Sequence, residues 1–227
     1  MAQSVTVWHG FFRWLIGAAS AFGIALAAHA TESVRVVETQ IVPTEMPARS
    51  STSRALHLSL YVFRDGRWSG QEIAPAIQQA LRLIGQCGIA AEKVELRVLE
   101  APRRYRFYST PVSRELLRAF TASKPAIFFV DDTLSRPAFD AETIGVSNAS
   151  TRPELANTIW VAYGARDLPL ALAHELVHLL SDNGTHSDGP HNLMRDETAA
   201  ENALLTPAQC ERLRERGTAN GMLERTR

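Results

Sequence analysis

Five residues constrain this chain more than any others: His174-Glu175-Leu176-Val177-His178, set inside an apolar run. Residues four apart on an α-helix lie about 40° apart around its axis, so the two imidazoles point the same way, one turn apart. Two imidazoles so placed can share one zinc ion at about 2.0–2.1 Å each. Glu175 falls beside the pair, where a carboxylate can take a proton from a metal-bound water without being a ligand. Local context agrees with a helix. Asp167 is a candidate N-cap and Pro169 falls in the first turn, where its missing N–H is harmless. Leu172, Leu176 and Leu180 form one stripe with Ala173 and Val177 beside it, and Asp182-Asn183-Gly184 ends the run with Gly184 as the expected left-handed cap.

A zinc site that acts on substrates usually has three protein ligands and one open position. Histidines cluster where the third is needed: of the seven in the chain, His174, His178, His186 and His191 fall within one short stretch. Residues that follow the helix and can serve as the third ligand are His186, Asp188, His191, Glu197 and Glu201.

The segment His186-Ser187-Asp188-Gly189-Pro190-His191-Asn192-Leu193-Met194 resembles the part of metzincins, and matrixins in particular, that runs from the third His ligand to the Met-turn. The resemblance implies His174, His178 and His186 as zinc ligands, Glu175 as general base and Met194 as the Met-turn residue. The family pattern is H-E-x-x-H-x-x-G-x-x-H. Here Gly184 lies six residues after His178, and His186 lies eight after, two more than in that pattern. Gly184-Thr185-His186-Ser187-Asp188 also fits the G-T-x-x-D motif of aspzincins, in which Asp188 would be the ligand, and Glu197 stands near the spacing of thermolysin-like enzymes.

The remainder of the 227 residues supplies the setting. Residues 1–30 read as a secretory signal peptide: Arg13, an apolar stretch from Trp14 to Ala28, and an Ala28-His29-Ala30 cleavage site. That stretch is shorter than the ~20 apolar residues of a membrane span, so no stable anchor is expected after cleavage. Export to a periplasmic or extracellular compartment makes a Cys87–Cys210 disulfide the expected state of the two cysteines. Residues 31–54 hold Pro43, Pro47 and a Ser/Thr run without apolar periodicity, and read as a linker or short arm. The folded domain is expected over 55–217, with 218–227 a tail. Period-2 and period-3.6 patterns predict strands over 56–63, 94–99, 126–130, 143–147 and 158–163, and helices over 70–87, 111–123 and from Thr206-Pro207 to about 216.

This order is also that of metzincin catalytic domains. The resemblance therefore implies an α+β, zincin-like fold: a mixed twisted sheet with an N-terminal helix, an active-site helix and a C-terminal helix. It further implies an exported, monomeric zinc endopeptidase acting on protein or peptide, with residues 143–147 as the edge strand beside which substrate lies. Two other readings are a zinc hydrolase with a carboxylate third ligand, Glu197 or Asp188, and an exported binding protein on the same fold that does not cut. Formal net charge is zero, with no basic stripe or acidic block, so a nucleic-acid partner is not expected.

Overall fold

The computed structural model describes residues 33–44, 53–134, 141–197 and 199–225. Residues 1–30, read from sequence as a signal peptide, lie outside them. In chain order the elements are β1 (Arg35–Ile41), β2 (Arg54–Phe63), α1 (Gly70–Gly85), β3 (Ile89–Glu100), β4 (Phe107–Tyr108), α2 (Thr110–Ala119), β5 (Ala126–Val130), β6 (Asp132–Thr133), β7 (Ala141–Ile144), β8 (Thr158–Ala162), α3 (Leu168–Ser181), α4 (Pro207–Ala219) and β9 (Leu223–Arg225). The sheet runs β1-β3-β2-β5-β8-β7, with β9 paired to the start of β2, and β4 and β6 make a separate two-stranded pair. Strands β3, β2, β5 and β8 are mutually parallel; β1, β7 and β9 join antiparallel. This is the mixed sheet with N-terminal, central and C-terminal helices that the resemblance implies.

Strand alternation divides the core. Leu56, Leu58, Leu60 and Val62 of β2 face α1, α3 and α4, while Tyr61 and Phe63 face the side covered by α2. On that second side Tyr61, Phe128 and Trp160 stack in series across three adjacent strands, with ring centroids 4.8 and 4.3 Å apart. Helix α2 stops at Ala119 rather than near Ser123. Phe120 turns inward to meet the Tyr61 ring edge-on at 5.5 Å, and the Ser123 N–H donates to the Tyr61 hydroxyl. Packing on an aromatic outweighs one more helical turn.

Two strands fall in stretches read from sequence as a linker or arm and as a tail. β1 has a sheet neighbour on one side only and is exposed along nearly all its length. It therefore carries no buried face to write an alternating pattern. β9 is three residues long and buries Leu223 against α4.

Cys87 and Cys210 form the expected disulfide, 123 residues apart in sequence, tying the end of α1 to the first turn of α4. A closure of this length contributes about 4–5 kcal/mol on the chain-entropy account. Helix α3 lies between α1 and α4 and is buried on nearly every side. The helix is apolar almost all round, beyond the single stripe of Leu172, Leu176 and Leu180, because its surroundings are apolar. None of the described helices is long and apolar enough to cross a membrane.

Gly217 in α4 tests the α4–β9 packing. Replacing a helical glycine by alanine ordinarily stabilises by roughly 1 kcal/mol. Here a Cβ would stand 2.6 Å from Leu223 Cδ1 and 2.8 Å from its Cγ. Overpacking of that kind costs about 1–3 kcal/mol, so Gly217→Ala should lower the melting temperature by roughly 2–4 °C. A raised melting temperature would mean that Leu223 does not close over α4.

Candidate metal centre

The end of α3 builds the site. Asp167 precedes the helix with φ 48° and no side-chain cap bond, so the expected N-cap role is not taken up. At the other end the left-handed residue is Asp182, also φ 48°, and not Gly184. That conformation costs an L-residue roughly 1–2 kcal/mol. The Asp182 carboxylate answers it by accepting from the Ser147 N–H and hydroxyl, each at 2.8 Å. Hydrogen bonds to a charged group contribute roughly 1.5–3 kcal/mol each, so the balance favours Asp182 at this position. The same contact needs Gly145: a Cβ there would stand 2.7 Å from Asp182 Oδ1.

Past Asp182 the chain returns alongside α3 and brings His186 to the helix pair. His178 Nε2 lies 2.9 Å from His174 Nε2 and 3.2 Å from His186 Nε2. The other ring nitrogen of each histidine meets an oxygen. Nδ1 of His174 is 2.8 Å from the Leu193 carbonyl, Nδ1 of His178 is 2.7 Å from the Asn183 carbonyl, and Nδ1 of His186 contacts Asp196. Protons on all three Nδ1 atoms satisfy these contacts and leave three Nε2 lone pairs facing one point. Three lone pairs cannot bond one another, but they can bond a Lewis acid between them. Two nitrogens at 2.0–2.1 Å from a tetrahedral ion are about 3.3 Å apart, close to the separations seen. The donor set and its spacing therefore fit a transition metal.

Burial holds the His174 and His178 imidazoles below their ordinary pKa range, which favours the neutral, lone-pair form. His186 is 40% exposed and Asp196 82%. A contact that open adds little stability, so its effect is to fix the ring's tautomer and direction. Glu175 is half-buried and shares a cleft of about 240 Å³ with His178 and His186, bounded by β7 on one side and the turn at Asp182 on the other. Burial pushes its carboxyl pKa up, opposed by the Thr143 hydroxyl, which donates to Oε2.

Asp188, His191 and Glu197 stand apart from this group. All three are exposed, and His191 and Glu197 line a separate surface depression with Glu201. Among the described residues, His174, His178 and His186 form the one cluster of three or more His, Cys, Asp or Glu side chains close enough to hold an ion. His57 is exposed on β2 beside Glu92. Met194 is 3% exposed and its segment is held on both sides: its N–H donates to Asn192 Oδ1 and its carbonyl accepts from Ser187. Asn192 in turn exchanges two side-chain bonds with Gln209, at 2.9 and 3.1 Å. Thr143, Asp196 and the Asn192–Gln209 pair were not marked by the sequence. Each acts through a partner distant along the chain, and no local spacing signals such a pairing.

Alanine substitutions should separate ligands from supports. His186→Ala should weaken affinity for a divalent transition metal, read by competition with a chromophoric chelator, far beyond the roughly 10–100-fold expected for Asp196→Ala. Asp188→Ala, His191→Ala and Glu197→Ala should bind like wild type. Retention of the metal by His186→Ala with its loss in Glu197→Ala or Asp188→Ala would put a carboxylate in the third position instead.

No protein-family model matches the chain, and no curated protein matches its sequence. Among solved structures, the chain is similar to metalloproteinase-II from Bacteroides fragilis, with a TM-score of 0.52 and 20% identity over 77% of this chain and 57% of that one. It therefore spans a little over half the length of that protein, and the likeness is one of fold. Archaemetzincin from Methanopyrus kandleri aligns at a TM-score of 0.44 and 12% identity, over 75% of this chain and 98% of that one.

Proposed function

We propose that this chain is an exported, zinc-dependent endopeptidase of metzincin type, with His174, His178 and His186 holding the ion and Glu175 as general base. The convergence of three Nε2 atoms, each ring fixed through Nδ1, carries the reading. Three neutral imidazoles with one side open to a cleft suit zinc in its catalytic form, which lowers the pKa of a bound water to about 7 and polarises a carbonyl.

The chain's own residues supply the rest. Glu175 opens on the same cleft as the imidazoles, where its carboxylate accepts a proton from the attacking water and passes it to the leaving amine. A raised proton affinity from burial suits a group that must both take and give a proton, and Thr143 fixes which way the carboxylate turns. Among the described residues β7 is the last strand on its side of the sheet, the edge beside which an extended peptide would lie. Strand addition there aligns a peptide beside Glu175 through main-chain hydrogen bonds. The likeness of fold to a protein named metalloproteinase-II supports the same reading. Export is supported by the disulfide, because such bonds persist in oxidising compartments. The apolar N-terminal stretch ending Ala28-His29-Ala30 points the same way.

The protein from residue 31 onward should carry one zinc per chain and lose peptidase activity with the metal on chelation. Glu175→Gln should keep the zinc and lower turnover by roughly 10²–10⁴-fold. Loss of zinc in Glu175→Gln would make this residue a ligand or its support, and a protein that takes up no zinc would end the enzyme reading.

A further inference from the structure

We infer that the cavity between α3 and α4 is a side-chain pocket that selects an acidic residue next to the cleaved bond, with Arg212 as its counter-charge. The inference rests on the peptidase reading and adds a substrate class to it.

The cavity measures about 220 Å³ and lies against the metal centre, since His186 and Asn183 line both it and the cleft holding Glu175. A peptide lying in that cleft with its carbonyl at the imidazoles therefore has a side chain beside the cut within reach of the cavity. The inner walls are apolar: Val177, Met194 and Leu213 are each 3% exposed or less. The other polar side chains are engaged. The Gln209 amide bonds Asn192 and the Thr206 N–H, Asn183 and Thr185 bond each other, and Ser181 turns back to the His178 carbonyl.

Arg212 differs from these. It lines the cavity, yet no carboxylate among the described residues pairs with it, although Glu211 and Glu215 lie on the same helix. No Asp or Glu lines the cavity at all. An apolar-walled pocket with one uncommitted guanidinium suits a side chain with a methylene stem and a carboxylate end. The planar guanidinium is weakly hydrated and can bind a carboxylate through two parallel hydrogen bonds. A lysine or arginine side chain would meet like charge there with no anion to offset it.

The test is cleavage of a peptide library randomised around the cut, with products mapped by mass spectrometry, on the zinc-loaded protein from residue 31 onward. Wild type should favour Glu or Asp over Ala at one position flanking the bond by on the order of 10-fold in kcat/KM, equivalent to about 1.4 kcal/mol. Arg212→Gln should remove that ratio, and Arg212→Glu should turn it toward Lys or Arg. Arg212 is exposed, so both variants should fold like wild type. Arg216→Gln, one turn further along α4 and outside the cavity, should leave the ratio unchanged and so exclude a general effect of charge on the helix. Cleavage without acidic preference, or a preference that survives Arg212→Gln, overturns the pocket assignment and leaves the peptidase reading standing. Cleavage of no peptide by a zinc-loaded protein removes both.

Discussion

An imidazole nitrogen of His178 held about 3 Å from those of His174 and His186, lone pair toward lone pair, is the constraint on which this half of the molecule depends. Nothing in three neutral rings draws them together. Their approach is imposed by what grips the far nitrogen of each: the Leu193 carbonyl, the Asn183 carbonyl and the Asp196 carboxylate. The two rings on α3 inherit their spacing from the helical turn, and their neutrality from burial. The third is presented by a loop, and its partner is exposed, so its direction depends on how that loop is held.

The loop is held through α4. Asn192 joins its side chain to Gln209, beside Cys210, and Leu193 donates to the Leu204 carbonyl. On the other side of the disulfide, Gln86 beside Cys87 accepts from the Leu205 N–H and donates to the Ala203 carbonyl. Residues 203–205 are thus fixed to the end of α1, residues 191–193 are fixed to 203–205, and the Leu193 carbonyl fixes His174. Arg214 adds a bond to the Cys87 carbonyl. One covalent bond at the base of α4 therefore stands within a few hydrogen bonds of the His174 ring, and its contribution is to orientation as well as to stability.

What the sequence revealed follows from the range of the forces involved. His174, Glu175 and His178 are legible because helical periodicity is a local rule, and four residues suffice to state it. Strands β2, β5 and β8 are legible because both their faces are buried and their residues say so. His186 needed a resemblance, since no local rule tells which of several polar residues a loop will return to a helix. β1 is not legible because an outer, exposed strand has no apolar pattern to show. Conformational freedom alone points to Gly184 for the left-handed position. Asp182 takes it because a carboxylate can hold Ser147, 35 residues away, and that tie outweighs the backbone cost.

That displaced turn also gives the long spacing between His178 and His186 a use. In the H-E-x-x-H-x-x-G-x-x-H pattern the third histidine follows the second by six residues; here it follows by eight. Helix α3 runs on to Ser181, Asp182 reverses the chain, and Asn183 passes close enough for its carbonyl to bond His178 Nδ1 before His186 is reached. The longer stretch thus carries a side-chain carboxylate that fastens the chain just beyond β7 and a main-chain carbonyl that fastens one of the imidazoles. These two groups are adjacent in sequence. The end of the edge strand and the ring of His178 are consequently tied to the same turn, and Thr143 on β7 reaches Glu175 from the opposite wall. The cleft between them has both walls bonded to α3. That helix is the most completely buried among the described ones, so both walls are tied to a part of the fold that is itself held by packing.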